Sequence, residues 1–142
     1  MQFTQPSAEL WTPGGEPADQ ALARTTHMSV AAHQDDVEIM AMEGVLACFG
    51  APDKWFSAVI VTNGAGSARS GIYANYTDAE MQQVRRVEQK KAAFVGEYSC
   101  VAFLDHPSSA VKDGKNPGPA AYIAALLAAA RPEVLYTHNL AD

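Results

Sequence analysis

The sequence contains little cysteine and little charge, and both features argue against several classes of protein. Its 142 residues include two cysteines, Cys48 and Cys100, and no C-x-x-C spacing, so neither a disulfide framework nor a zinc knuckle is indicated. We expect both to be buried free thiols. Charged residues make up 18% of the chain and the formal net charge is -6. Such an acidic chain is a poor candidate for binding nucleic acid or an anionic membrane surface.

Long apolar runs and a recognisable targeting segment are also lacking. The longest apolar stretch, residues 120–130, is too short to span a bilayer. Residues 1–15 carry Gln, Thr, Pro and Gly instead of a basic start followed by an apolar run, so no signal peptide is indicated. These features predict a cytoplasmic protein that does not insert into membranes. Hydrophobic residues still make up 48% of the chain, which is enough to form the core of a compact domain.

What the chain does contain is a regular alternation of strand-like and helix-like segments. The predicted strands cover residues 28–32, 56–62, 100–104 and 133–137, and the predicted helices cover residues 35–49, 77–95 and 119–131. This alternation predicts an α/β protein, a Rossmann-like three-layer α/β/α sandwich with a mostly parallel sheet. We expect residues 1–24 to form an N-terminal arm and residues 25–142 to form the α/β domain.

In parallel sheets of this kind, ligands bind beyond the carboxyl ends of the strands. A site is therefore expected among the polar segments that follow the four predicted strands, namely His33-Gln34-Asp35-Asp36, Asn63-Gly64-Ala65-Gly66, Asp105-His106-Pro107 and His138-Asn139. Parallel strands bring these segments to one edge of the sheet, so residues far apart in sequence can contribute to one site.

The first of these segments has the composition of a metal site. His33 and Asp36 offer an imidazole nitrogen and a carboxylate oxygen, which together suit zinc or another divalent first-row metal. Asp35 need not be a ligand, and a free carboxylate beside a metal can take a proton from water in a hydrolase. A catalytic zinc usually has three protein ligands, however. The residues alone also allow a simpler interpretation, in which an aspartate caps the helix and His33 is a polar strand-end residue.

The segment Ala32-His33-Gln34-Asp35-Asp36-Val37-Glu38 resembles the Ala-His-Pro-Asp-Asp-x-Glu signature of the LmbE-like, or PIG-L, family of metal-dependent N-deacetylases. The similarity continues in order through Thr62-Asn63-Gly64, Arg85 with Glu88, Leu104-Asp105 and the segment from Tyr136 to Asp142. The family removes acetyl groups from N-acetylated sugars and related conjugates by using zinc or a similar metal. The resemblance implies that His33 and Asp36 are metal ligands, that Asp35 is the general base, and that the partner is a small N-acetylated substrate.

The chain departs from the family pattern in two places. Gln34 replaces the usual proline, which should alter the stiffness of the turn more than its ligands. The family's third ligand is a histidine in an Asp-x-His-x-x-His-like segment, and this sequence stops at Asp142, the aspartate of that segment. The resemblance gives Asp142 a supporting role. We expect the chain to be an incomplete piece, truncated after the fourth strand, that binds metal weakly and has little or no activity.

Further candidates lie at the other strand ends. Asn63, Gly64 and Arg69 belong to a long loop rich in small residues, and loops of this length are often functional. In the family this region lines the substrate pocket, so Arg69 could hold a substrate group, although it could also be simply solvated. His138 could support the site, be structural, or substitute for the third ligand. His106 is expected to be a surface residue.

Alternatives to N-deacetylation remain open on the sequence. The chain could be a non-catalytic binding module with a degenerate metal site, or an amidase acting on another small-molecule conjugate. A nucleotide-binding function is disfavoured because the first strand is followed by His33 and two aspartates instead of glycines. An uncovered sheet edge would favour association, so a homo-oligomer is a further possibility.

Overall fold

The computed structural model describes residue 3 and residues 5–139, which form a five-stranded sheet with helices on both faces. The strands are β1 Glu9–Trp11, β2 His27–Ala31, β3 Phe56–Thr62, β4 Cys100–His106 and β5 Val134–Thr137. The helices are α1 Ala18–Ala23, α2 Asp36–Met40, α3 Met42–Cys48, α4 Asp78–Val95, α5 Ser108–Lys112 and α6 Gly118–Ala130, and a short 3-10 turn covers Gly71–Tyr73.

The strand order is β1-β4-β3-β2-β5, in which β2 to β5 run parallel and β1 lies antiparallel to β4. This arrangement confirms the predicted Rossmann-like α/β fold with a mostly parallel sheet. Every residue of β2 and β3 is buried, which explains why these strands read as continuous apolar runs instead of alternating patterns. The carboxyl ends of the four parallel strands therefore meet at one edge of the sheet.

Alternate side chains of the strands supply two cores. One core combines Phe56, Ile60 and Phe103 from the sheet with Val37 and Val45 from α2 and α3. The other core lies on the opposite face, where Met28, Val59 and Leu104 pack against Leu22 of α1 and Leu126 of α6. Because β2 is held from both faces and by two neighbouring strands, the turn that follows it starts from a rigid position.

Two local predictions were wrong. The helix predicted over residues 35–49 is divided into α2 and α3, because Ala41 departs from helical geometry with φ -121° and ψ 17° and is fully buried. Packing of this alanine overrides the helical propensity of its neighbours. The segment predicted as a polar loop over residues 105–116 contains the short helix α5. The capping box of Thr77 and Glu80 is present at the start of α4, where each residue bonds the backbone N–H of the other.

The residues predicted as an N-terminal arm are joined to the sheet by a charged network. Arg86 of α4 donates to Glu9 Oε1 at 2.6 Å, to Asp105 Oδ1 at 2.8 Å and to the Ser7 carbonyl at 3.1 Å. Lys90 Nζ lies 2.7 Å from the same Glu9 oxygen. Burial disfavours the charged Glu9 carboxylate, but the hydrogen bonds from Lys90 and Arg86 outweigh it and lower its pKa. The network thus fixes β1 against β4.

We expect Arg86→Lys to lower the free energy of unfolding by about 1.5–3 kcal/mol, measured by urea titration. Lysine keeps the positive charge but cannot reach Glu9, Asp105 and the Ser7 carbonyl together, because only the guanidinium has a planar fork of donors. Lys91→Arg is the matched control, since it is also a charge-conserving exchange and Lys91 is exposed on the same helix. Equal stability of the two variants would show that the fork geometry of Arg86 is unimportant.

Cys48 and Cys100 are free and buried, as predicted. Burial raises the pKa of both thiols, that of Cys100 to about 11, so neither is an activated nucleophile. None of the helices within the described residues is long and apolar enough to cross a membrane.

Candidate active site

The turn between β2 and α2 brings His33 and Asp36 together. Asp36 Oδ2 accepts a hydrogen bond from the His33 backbone N–H at 2.8 Å and lies 3.4 Å from His33 Nδ1. Gln34 between them is buried, and its side-chain amide donates to the Thr62 carbonyl at 3.2 Å. The turn is therefore fastened to the end of β3, and it aims both predicted metal ligands at one point.

His138 joins this pair from the neighbouring strand. It directly follows β5, which lies parallel to β2, and its Nε2 accepts a hydrogen bond from the Ala32 N–H at 3.0 Å. The same nitrogen lies 3.3 Å from Asp36 Oδ2. One carboxylate oxygen of Asp36 thus lies close to both His33 and His138, and the predicted proximity of these strand-end residues is observed.

The donors fit a divalent metal only in part. The separation of His33 Nδ1 and Asp36 Oδ2 is close to the roughly 3.3 Å expected between neighbouring ligands of a tetrahedral zinc. His138 Nε2 lies at a similar distance, but its lone pair already accepts the Ala32 N–H. Within residue 3 and residues 5–139, no group of three or more His, Cys, Asp and Glu side chains could hold a metal ion. These residues therefore offer a pair of donors that needs a further ligand.

Asp35 is held by α4 in an unusual backbone conformation. It is the N-cap of α2 with φ 78°, in the left-handed region that non-glycine residues seldom adopt. Its carboxylate is 63% exposed and lies 2.9 Å from Arg85 Nη2. Arg85 also donates to the Gln34 carbonyl and to Glu88 Oε2, each at 2.6 Å. An accessible carboxylate beside the predicted ligands is the arrangement that a general base requires.

A partly buried chain of hydrogen bonds supports the Asp35 backbone. The Asp35 N–H donates to Gln89 Oε1 at 3.2 Å, and Gln89 Nε2 donates to Glu38 Oε1 at 2.9 Å. The Tyr98 hydroxyl donates to the same Glu38 oxygen at 2.7 Å, and burial together with this negative charge raises the pKa of Tyr98. Sequence reasoning missed Gln89, because a single glutamine in a helix belongs to no motif. Its spacing of four residues from Arg85 was the available signal.

The loop after β3 packs directly on Gln34 and Arg85. Asn63 donates its backbone N–H to the His106 carbonyl at 2.9 Å, and its Oδ1 accepts from the Ala65 N–H at 3.1 Å. Gly64 has φ 77°, and a Cβ at this position would lie 2.9 Å from Arg85 Cβ and from Gln34 Oε1. A side chain would therefore clash, and glycine is needed both for its conformation and for the close approach of the loop.

Arg69 organises the loop from inside. Its Nη1 donates to the carbonyls of Ala65 and Ser67, each at 2.7 Å, and its Nε donates to the Tyr76 carbonyl at 3.3 Å. The guanidinium also pairs with Asp78 at the start of α4. Contact between Arg69 and a substrate stays a prediction, and it would require one of these internal bonds to be exchanged.

A cavity of about 720 Å³, lined by both polar and apolar groups, opens beside the pair of donors. Its walls include His33, Asp35, Asp36, Arg85, Tyr73 and Lys112. Carboxylates, cations and an aromatic ring thus face one space that is large enough for a sugar-sized ligand. The short helix α5, which the sequence did not predict, supplies Lys112 to this wall.

His106 was expected at the surface, but it is 3% exposed and its ring packs on Tyr122 with centroids 5.7 Å apart. Burial lowers the pKa of its imidazole. The prediction was wrong because β4 continues two residues past Leu104, which carries His106 under α6. Asp142 lies outside the described residues, so its supporting role stays a prediction.

The model of one protein family, described as PIG-L: GlcNAc-PI de-N-acetylase, matches residues 28–142. The matched region covers most of the chain and includes His33, Asp35 and Asp36. No curated protein and no solved structure gives a significant match.

Proposed function

The chain belongs to the GlcNAc-PI de-N-acetylase (PIG-L) family, and on that premise we propose that it contributes the catalytic base and two metal ligands of a metal-dependent hydrolase. The reaction is removal of an N-acetyl group from an amino-sugar or sugar-conjugate substrate. The observation that carries the proposal is the convergence of His33 and Asp36 beside the accessible carboxylate of Asp35, on the wall of one cavity.

In the proposed mechanism, His33 and Asp36 hold zinc or another divalent first-row metal together with a third ligand. When bound, the metal supplies Lewis acidity and lowers the pKa of water. Asp35 takes a proton from the attacking water, whose oxygen forms a bond to the acetyl carbonyl carbon. The C–N bond then breaks, the proton passes to the amine, and acetate leaves. Arg85, 2.9 Å from the Asp35 carboxylate, keeps that base oriented throughout.

The composition of the cavity supports a polar substrate. Lys112 and Arg85 provide cationic donors on its wall, and Tyr73 provides a half-buried aromatic face against which a sugar ring can stack.

The exposed strand β5, with Leu135 46% exposed, supports keeping a homo-oligomer as part of the proposal. A cytoplasmic location stays a prediction.

The proposal extends to how well the 142-residue chain works by itself. The pair of His33 and Asp36 needs a further ligand, so we expect weak metal binding and little turnover wherever that ligand is missing. The same observation favours a second candidate, a binding module that keeps the fold with a degenerate site. The two candidates differ in whether a complete metal site ever forms in the natural-length protein, meaning the complete product of the gene.

We expect stoichiometric zinc or another first-row metal in the natural-length protein and substoichiometric metal in the 142-residue chain, both measured by elemental analysis. His33→Ala should abolish the binding, because it removes one of the paired donors. His27→Gln is the matched control, since His27 begins the same strand and lies at its opposite end.

Other outcomes are equally informative. Stoichiometric metal in both forms, lost on His33→Ala, would mean that a substitute ligand completes the site, and His138 would be tested first because of its 3.3 Å approach to Asp36. Metal in neither form would contradict the catalytic proposal and leave the binding module as the better description.

A further inference from the structure

We propose that Gln89 is a positioning residue for the general base, and this inference rests on the proposed function of Asp35. Gln89 is 1% exposed and lies on the face of α4 that meets the turn after β2. Its amide connects two groups of that turn and the helix after it, the Asp35 N–H and the Glu38 carboxylate. No other side chain in the described residues is seen to bond the Asp35 backbone N–H.

The bond to Glu38 fixes the orientation of the Gln89 amide. Glu38 Oε1 accepts from Gln89 Nε2 at 2.9 Å, and a carboxylate cannot donate, so it fixes which end of the amide faces it. The carbonyl end of Gln89 must then face Asp35, whose N–H lies 3.2 Å away. Tyr98 donates to the same Glu38 oxygen and so holds this anchor in place.

The hydrogen bond from the Asp35 N–H to Gln89 maintains the left-handed conformation of Asp35. Asp35 has φ 78°, and an aspartate leaves the left-handed region readily unless its neighbours are fixed. The Gln89 bond fixes the nitrogen side of Asp35, while Arg85 fixes the Gln34 carbonyl at 2.6 Å. Relaxation of Asp35 to a common conformation would turn its carboxylate relative to His33 and Asp36.

Gln89 differs in its contacts from Arg85, which lies four residues away on the same face of α4. Arg85 contacts the Asp35 carboxylate and lines the cavity, so its replacement would change charge and substrate contact together with geometry. Gln89 is absent from the wall of that cavity, although it lines a smaller neighbouring cavity of about 270 Å³, and its hydrogen bond to Asp35 is to the backbone N–H. At Gln89, which does not contact the Asp35 carboxylate, a loss of kcat without a change in KM therefore indicates an altered orientation of the base.

The test uses Gln89→Met in the natural-length protein, because methionine has a similar length and lacks both the donor and the acceptor. We expect kcat for an N-acetylated amino-sugar substrate to fall by about 10-fold or more, with KM within about twofold and metal content unchanged. Gln83→Met is the matched control, since Gln83 is exposed on the same helix.

A second measurement does not depend on turnover. In the unsubstituted 142-residue chain, hydrogen exchange followed by NMR should show the Asp35 amide slowed by about 10-fold or more relative to its unstructured rate, and Gln89→Met should remove most of this protection. An unprotected Asp35 amide in the unsubstituted chain would overturn the inference, even if the variant did not fold. So would a Gln89→Met protein with unchanged kcat. Absence of hydrolysis in the unsubstituted protein would instead contradict the proposed function, and hydrogen exchange would still decide the role of Gln89.

Discussion

Asp35→Asn should lower kcat for hydrolysis of an N-acetylated amino-sugar substrate by about 10²–10⁴-fold in the natural-length protein. Asparagine has nearly the same size and can still accept a hydrogen bond from Arg85, which lies 2.9 Å from the carboxylate in the structure. It cannot take a proton from water, however. We therefore expect the geometry of the turn, the KM and the bound metal to change little while the chemical step slows.

The measurement compares steady-state kinetics and metal content for three proteins: the unsubstituted one, Asp35→Asn and Asp53→Asn. Asp53 is an exposed carboxylate between α3 and β3, so its replacement changes the net charge equally without touching the cavity. Full activity of Asp35→Asn with metal in place would show that another group accepts the proton. If the protein binds N-acetylated sugars without hydrolysing them, and Asp35→Asn binds them equally well, the binding module becomes the correct description.

The sequence was most informative about the parallel strands and least informative about short elements. β3 and α4 were predicted almost to the residue, because an apolar run buried on both faces and a capping box are strong local signals. β1 and α5 are only three and five residues long, and they exist because of tertiary contacts. Strand β1, for example, is held by Arg86, which lies more than seventy residues away along the chain. No local pattern could reveal such a partner.

The candidate site shows the same division between local and distant information. The placement of His33, Asp35 and Asp36 on one turn followed from their adjacency and from the strand end that precedes them. The approach of His138 required only the rule that parallel strands end at one edge. By contrast, the left-handed conformation of Asp35 and its support by Gln89 depend on how α4 packs across the turn. The packing of α4 against this turn arises only when the fold is assembled, so no local sequence pattern predicts it.

The importance of this packing can be measured at Glu38. We expect Glu38→Ala to lower the free energy of unfolding by about 2–6 kcal/mol, because it leaves two buried donors without an acceptor, each at about 1–3 kcal/mol. The donors are the Tyr98 hydroxyl and the side-chain amide of Gln89, and both residues are almost fully buried. Since a domain of this size is stable by only about 5–15 kcal/mol, the loss should be plain in a urea titration.

Two further variants serve as references for the change in the free energy of unfolding of Glu38→Ala. Glu43→Ala removes an exposed carboxylate from the adjacent helix α3 and should change stability by less than about 0.5 kcal/mol. Tyr98→Phe removes one donor and leaves the Gln89 bond. It should therefore lower the free energy of unfolding by about 0.5–1.5 kcal/mol, which is less than the loss for Glu38→Ala. If Glu38→Ala were no worse than Glu43→Ala, water would be satisfying both donors, and Glu38 could not be the anchor that orients Gln89. If its loss exceeded that of Tyr98→Phe, Glu38 would stabilise the fold by more than its bond to Tyr98, as expected of a residue that also anchors Gln89.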